Sequence, residues 1–278
     1  MSAVVVSISL EELIPYINWT YFFNAWHIPG NYEGITSLCT CEACRQQWLS
    51  RFSAAERPKA QEALQLYLDA QVQLKEWNEQ HTLTIQVKYG FYDATSSEQV
   101  ITLCNDSECL KIPTLRQQRP RPDGTCWALA DFIAAEADTV GLFAVAVHGV
   151  NEVNDDEYIS LLRRTLADRL AEATSEFMQR KLLSQNAIRP AFGYPSLPDL
   201  SLLFDVERFF TLSEIGIHLT HHAAMKPTSS ICGLYIQHPQ VRYFMVGDIS
   251  MQQFTWYAKQ RNMSLQALKP FLNLNVLP

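Results

Sequence analysis

Two stretches of this chain concentrate side chains that can do chemistry. The first is Ile188-Arg189-Pro190-Ala191-Phe192-Gly193-Tyr194-Pro195. Its prolines, with Pro198 just beyond, remove backbone donors and fix φ, so the stretch cannot be helical. The residues before them are pushed toward extended geometry. An extended segment leaves N–H and C=O groups for a ligand. Arg189 adds a planar fork that matches a carboxylate, and Tyr194 adds a face on which a flat ring can stack. A plain interhelix connector, punctuated by the same residue types, is the alternative.

The second stretch is Cys39-Thr40-Cys41-Glu42-Ala43-Cys44. Three thiols so close together could hold a metal, and Cys104-x4-Cys109 could supply further ligands. Zinc usually takes paired thiols at gaps of two to four residues and four ligands in all. The C-x-C-x-x-C spacing departs from that pattern and no fourth ligand is evident, so the expectation is no metal. A redox-sensitive cluster, or packing as small buried hydrophobes, are the other readings. His221-His222 is a weaker pair, because neighbours on a strand point to opposite faces.

These side chains need elements to position them. The strongest is a helix from Asp155 to about Leu183, with Asp155 and Asp156 at its positive end. Tyr158, Leu161, Leu162, Leu166, Leu170, Ala173, Phe177 and Met178 form its apolar stripe. Asp168 and Glu172 share another face, where Arg164 and Arg169 could offset their repulsion. Residues 54–80 form a second amphipathic helix. Residues 82–92 alternate as a strand, with shorter strands at 3–8, 99–103 and 110–115. Val140 to Val147 is a continuous apolar run, which fits a strand buried on both faces. Trp127 to Ile133 starts a helix, 200–210 and 253–262 are helical, and 214–220 alternates. Residues 232–237 and 242–249 read as a hairpin turning at His238-Pro239-Gln240. Ser9 with Glu12 makes a capping box, and Ser264 caps a last short helix over 264–271. The aromatic stretch Tyr16 to Trp26 reads mainly as core, with a few rings left to line a pocket. Without a strict βαβ alternation, the fold class is α+β: a twisted antiparallel sheet with flanking helices. The expectation is one domain over 1–278, its aromatic and helical part (1–80) packing on an α+β body (81–278).

The totals exclude several classes. A hydrophobic fraction of 47% with 18% charged residues allows a sizeable core. A net charge of −7 with no dense Lys/Arg cluster argues against nucleic acid as a main partner. No apolar run reaches the roughly 18–20 residues a membrane span needs, and the N-terminus lacks a signal-peptide pattern; the expectation is a soluble, cytoplasmic protein. Seven cysteines, an odd number without a secretion signal, argue against a disulfide framework. There is no Gly-rich phosphate loop, GxSxG elbow or H-E-x-x-H.

Several stretches together resemble one family. Arg189-Pro190-Ala191-Phe192-Gly193-Tyr194-Pro195 resembles the RPAPGYP signature of the activation domain of cobalamin-dependent methionine synthase. Leu166-Ala167-Asp168-Arg169-Leu170-Ala171-Glu172-Ala173 is nearly letter for letter the helix preceding it. Ile14 to Phe23 is similar to the family's PYIDWTPFF, and Cys232 to Pro239 with Arg242-Tyr243-Phe244 to its SGWYFSHP and KYY. The four matches are colinear along nearly the whole chain.

That resemblance implies an activation-domain fold that binds S-adenosylmethionine. It implies reductive methylation of inactive cob(II)alamin, with the electron coming from flavodoxin or another reductase. It also implies action in trans, on a methionine synthase chain that carries the cobalamin. By the same resemblance, Arg189 pairs with the ligand's carboxylate and Asn18, where the family has an aspartate, meets its ammonium. The backbone at Ala191 and Gly193 holds the adenine edge beside Tyr194. Tyr243 and Phe244 match paired tyrosines, and Glu172 matches an acid facing the ligand or the cobalamin. The chain departs from the family in lacking an insert with a further acid before the signature, in reading Leu197-Pro198-Asp199-Leu200 for CPEH, and in its three-cysteine cluster. Two rival readings are a non-catalytic interaction protein that keeps the fold without the ligand, and a metal or redox sensor built on the cysteines.

Overall fold

The computed structural model describes residues 3–39, 41–150, 156–183 and 185–277; Thr40, Asp155 and Ser184 lie outside them. The chain begins with β1 (Val4–Ile8), the one-turn helix α1 (Leu10–Leu13), α2 (Trp19–Ala25), α3 (Glu42–Leu49) and the long α4 (Arg57–Gln80). The strands β2 (Thr84–Ser97), β3 (Val100–Cys104), β4 (Cys109–Pro113) and β5 (Asp138–His148) follow, then α5 (Glu157–Leu182). After it come β6 (Ala187–Ile188), α6 (Leu202–Phe210), the β7 (His218–Leu219) and β8 (Met225–Lys226) pair, and β9 (Ser230–Gln237). The chain ends with β10 (Ile249–Ser250), α7 (Met251–Gln260), α8 (Leu265–Leu268) and β11 (Val276–Leu277).

The main sheet is antiparallel, in the order β4-β3-β2-β5-β9-β6, with β1 also on β2. Strand β2 is long enough to serve two partners on one edge: Tyr89 pairs with Val4 of β1, and Asp93 pairs with Cys104 of β3. Its other edge pairs with β5 from Thr84 to Ala94. Because side chains alternate along a strand, β5 feeds two cores. Val140, Leu142 and Ala144 pack with Leu234, Val206, Phe210, Phe254 and Tyr257 beneath α6 and α7. Phe143, Val145 and Val147 pack with Ile231, Tyr235, Leu166, Leu170, Leu74, Trp77 and Phe22 beneath the N-terminal helices and α5. The Phe143 and Tyr235 rings stack at 4.4 Å. Each fully buried large apolar side chain here contributes about 1.5–3 kcal/mol, so both faces of the sheet must stay covered.

The α+β antiparallel architecture and the doubly buried β5 agree with the sequence reading. Three expectations change. Residues 242–249 do not pair with β9: residues 241–247 form no strand. The reason is an occupied edge. Strand β9 already pairs with β5 on one side, while Ala187, Ile188 and Ala191 pair with Gln237, Ile236 and Gly233 on the other. Trp127 to Ile133 yields only a 3₁₀ turn at Leu129–Phe132, capped by Asp131, whose carboxylate is held by Arg116 at 2.5 Å. Cys104 and Cys109, directly opposite in the β3–β4 hairpin, form a disulfide. Among the described residues no helix is long and apolar enough to cross a membrane.

Candidate functional site

Helix α5 begins at Asp156, whose carboxylate accepts the N–H of Tyr158 at 2.8 Å and thereby caps it. Its apolar stripe buries Leu162, Leu166, Leu170 and Met178. The same periodicity places Arg169, Glu172, Ala173 and Glu176 on one face, at spacings of three and four. The segment from Ile188 to Pro195 crosses in front of that face. Around Pro190 it is still sewn to β9: the N–H of Phe192 donates to Cys232 and the N–H of Leu234 to Pro190, each at 2.9 Å. Gly233 permits this approach, since a Cβ there would stand 2.4 Å from the Pro190 carbonyl oxygen. Ala191 packs into one core and Phe192 into the other. The strap is therefore anchored on both sides of the sheet. It turns at Gly193, with φ +86°, as the N–H of Tyr194 donates to the Ala191 carbonyl at 3.1 Å.

Between the strap, α5 and the N-terminal residues lies an open cleft of about 610 Å³. It gathers Asn18, Glu172, Arg189, Tyr194 and Tyr243, together with Tyr16, Tyr21, Arg169, Glu176 and Pro195. An apolar pocket of about 250 Å³ adjoins it, lined by Pro190, Tyr194, Pro195, Tyr243, Phe244 and Met245. Tyr243 stays exposed, whereas Phe244 turns inward against Trp127 and Phe132. Ala191 and Gly193 line neither space.

The polar groups of the cleft hold one another. Arg189, 20% exposed in its side chain, donates from Nη1 to Gln179 Oε1 at 2.8 Å and places Nη2 3.7 Å from Glu176 Oε2. Gln179 in turn donates to the Ala187 carbonyl at 2.8 Å, tying α5 to the strap. The Tyr194 hydroxyl donates to Glu172. Burial of that hydroxyl, and then the charge of Glu172, raise its pKa above the usual phenol value. Asn18 caps α2, its Oδ1 accepting the N–H of Tyr21 at 3.2 Å. Two acids, two arginines and four tyrosine rings in one cleft suit a zwitterionic ligand that also carries a cation and a flat ring.

Sequence reasoning missed four of these residues. Arg169 and Glu176 were legible in principle, since they repeat Glu172 at helical spacing. Tyr16 and Tyr21 carried no such signal, because their neighbours Phe22 and Phe23 are core and the stretch reads as one apolar block.

Behind the strap, Asp199 is fully buried. Its carboxylate accepts from Tyr257 Oη at 2.9 Å and from the Ser201 N–H at 2.8 Å, and pairs with Arg261 at 3.1 Å. Burial raises the Asp199 pKa against the opposing pull of Ser201 and Arg261. This network ties the downstream end of the strap to α7.

The cysteine cluster does not line the cleft. Cys39 and Cys41 are exposed and Cys44 half-buried, so packing does not describe them. The Sγ atoms of Cys39 and Cys41 lie 2.9 Å apart, and Cys41 Sγ caps α3 by accepting the N–H of Cys44 at 3.4 Å. His221 and His222 sit in a turn between β7 and β8 with their rings 3.9 Å apart, not on a strand. They join no group of three or more potential metal ligands among the described residues.

Fold and cleft thus define an antiparallel α+β protein with a mixed-charge, tyrosine-lined groove against a proline-rich strap. The model of the family "Vitamin B12 dependent methionine synthase, activation domain" matches residues 9–262, and the chain belongs to that family. It is also similar to a solved structure described as the MetH reactivation domain bound to AdoHcy. The two share 27% identity and a TM-score of 0.83, over 99% of this chain and 90% of that one.

Proposed function

We propose that this domain binds S-adenosylmethionine in the cleft and offers its methyl group to a cobalamin held by a methionine synthase module. The observation that carries this reading is the convergence of Glu172, the strap residues Arg189 and Tyr194, and Tyr243, from three separate parts of the chain, on one open cleft. Membership of the activation-domain family, and the AdoHcy in the similar structure, support it. The whole chain would act as one unit.

In this reading Arg189 turns its fork to the ligand carboxylate. Glu172 and Glu176 face the ammonium and sulfonium, with Asn18 adding a polar contact from α2. Ala191 lines neither space, and its carbonyl accepts the Tyr194 N–H, so it serves by shaping the turn that presents Tyr194. The Gly193 N–H already donates to Leu197 at 2.8 Å, so Gly193 serves through the turn it permits. Tyr194, Tyr243 and the apolar pocket beside Phe244 receive the flat ring. The partner's cob(II)alamin, reduced by one electron from flavodoxin or another reductase, would be the methyl acceptor, and the residues of the cleft would hold the sulfonium donor, which would leave as the neutral thioether. No general base is needed; the protein contributes placement.

Calorimetry with S-adenosylmethionine and S-adenosylhomocysteine tests the reading. Saturable binding of both is expected, and absence of heat at millimolar ligand would overturn it. Mixing the chain with a separately expressed cobalamin module, a chemical reductant and S-adenosylmethionine tests action in trans by the cobalamin absorption spectrum.

A further inference from the structure

We propose that Cys39, Cys41 and Cys44 form a binding site for a single thiophilic divalent cation of the zinc class. Their three Sγ atoms all lie within 4.8 Å of one another. A metal–sulfur bond of about 2.3 Å places tetrahedral ligands roughly 3.8 Å apart. The observed cluster brackets that spacing, from the 2.9 Å between Cys39 and Cys41 to the 4.8 Å limit. Binding an ion would move the Cys39 and Cys41 Sγ atoms apart from their 2.9 Å separation.

The platform beneath the cluster is firm. Helix α3 buries Trp48 and Leu49, and Trp48 Nε1 donates to the Glu33 carbonyl at 3.0 Å. Cys41 and Cys44 are therefore presented by one anchored helical turn, with Cys39 on the approach to it. The Cys44 N–H already points at Cys41 Sγ, which is the kind of outer contact that orients a thiolate ligand.

Three observations separate this from the neighbouring possibilities. A disulfide needs two thiols, and here a third converges. Cys104 and Cys109 are bonded to each other, so they are not additional ligands. No further His, Cys, Asp or Glu joins the group among the described residues, which leaves a fourth position for water or a small thiol. Binding exchanges thiol protons for the cation and transfers no electrons.

The test uses the full chain with its cluster thiols reduced and the Cys104–Cys109 disulfide intact, under anaerobic conditions, titrated with Co²⁺ and then Zn²⁺. One Co²⁺ per chain should bind with thiolate-to-metal charge-transfer absorption, which Zn²⁺ should then bleach. Cys41→Ser keeps a favoured N-cap for α3 but removes a ligand. It should weaken Zn²⁺ binding by more than about 100-fold, beyond the loss typical of an outer contact. Cys39→Ser should do the same, and Cys126→Ser, outside the cluster, should change nothing. Absence of thiolate absorption in folded protein would overturn the proposal, as would absorption that survives in both cluster variants. When air is then admitted as the oxidant, formation of a Cys39–Cys41 disulfide in excess Zn²⁺ would also overturn it, making the cluster a redox pair.

Discussion

The hydroxyl of Tyr243 accepts the backbone N–H of Arg189 at 2.9 Å. This bond joins the irregular segment after β9 to the strap, at the residue whose guanidinium faces the cleft. Tyr243→Phe deletes it and leaves an exposed N–H that water can reach. The expected cost is about 0.5–1.5 kcal/mol, a drop in melting temperature of about 2–4 °C per kcal/mol at this size. S-adenosylmethionine affinity should fall with it, because the strap loses a tether. Unchanged melting and unchanged affinity would show that the bond holds nothing in place.

Arg189 carries the sharpest test of ligand placement. Arg189→Ala should weaken S-adenosylmethionine binding by about 1.5–3 kcal/mol, the scale of a hydrogen bond to a charged group. Arg189→Lys should recover little of it, because a point charge does not reproduce the two-point fork. Melting of both variants without ligand separates lost binding from the lost contacts to Gln179 and Glu176. An unaltered dissociation constant in Arg189→Ala would mean that the carboxylate sits elsewhere.

Gly193 adopts φ +86°, and a Cβ there would meet Leu200 Cδ2 at 2.6 Å. Gly193→Ala should destabilise the protein by about 1–2 kcal/mol from left-handed backbone strain, with a further cost if Leu200 cannot swing aside. Gly124, at φ +79° with nothing within 4 Å of a Cβ, is the control for strain alone. Denaturant unfolding of the two alanine variants gives the difference; equal losses would show that Leu200 yields freely.

Tyr235 and Tyr257, both fully buried, have pKa values raised by burial above the ordinary phenol value. A phenol that stays neutral in the folded state, yet ionises near pH 10 when unfolded, gives its stability below that pH. The contribution declines as pH rises from there toward the folded-state value. Alkaline unfolding followed by tyrosine absorbance should therefore show these groups ionising together with unfolding. Smooth independent titration of every tyrosine in folded protein would contradict it.

Much of the local structure was legible in the residues. The apolar stripe of Leu162, Leu166 and Leu170 is enough to specify α5, and the unbroken run from Val140 to Val147 is enough for a strand covered on both faces. Four colinear motifs carry the family resemblance by themselves. The prolines around Arg189 dictated an extended segment, which is a statement about φ and needs no partner.

Only the folded chain decided what faces what. The run after His238 has the composition of a strand, but β6 and the strap already hold that edge of β9, and an edge is taken by whichever segment packs there. Asn18 is a helix cap by local geometry and a cleft residue by where α2 docks. Glu176 stands beside Arg189 because α5 and the strap meet, a contact 13 residues apart that no period encodes. The thiols of Cys39, Cys41 and Cys44 were close in sequence, but their convergence required a cap on α3 and the buried anchor of Trp48. Local periodicity determines which elements form and which face of each is apolar. The meeting of polar faces depends on how the two cores close on the sheet, and that is settled only by packing.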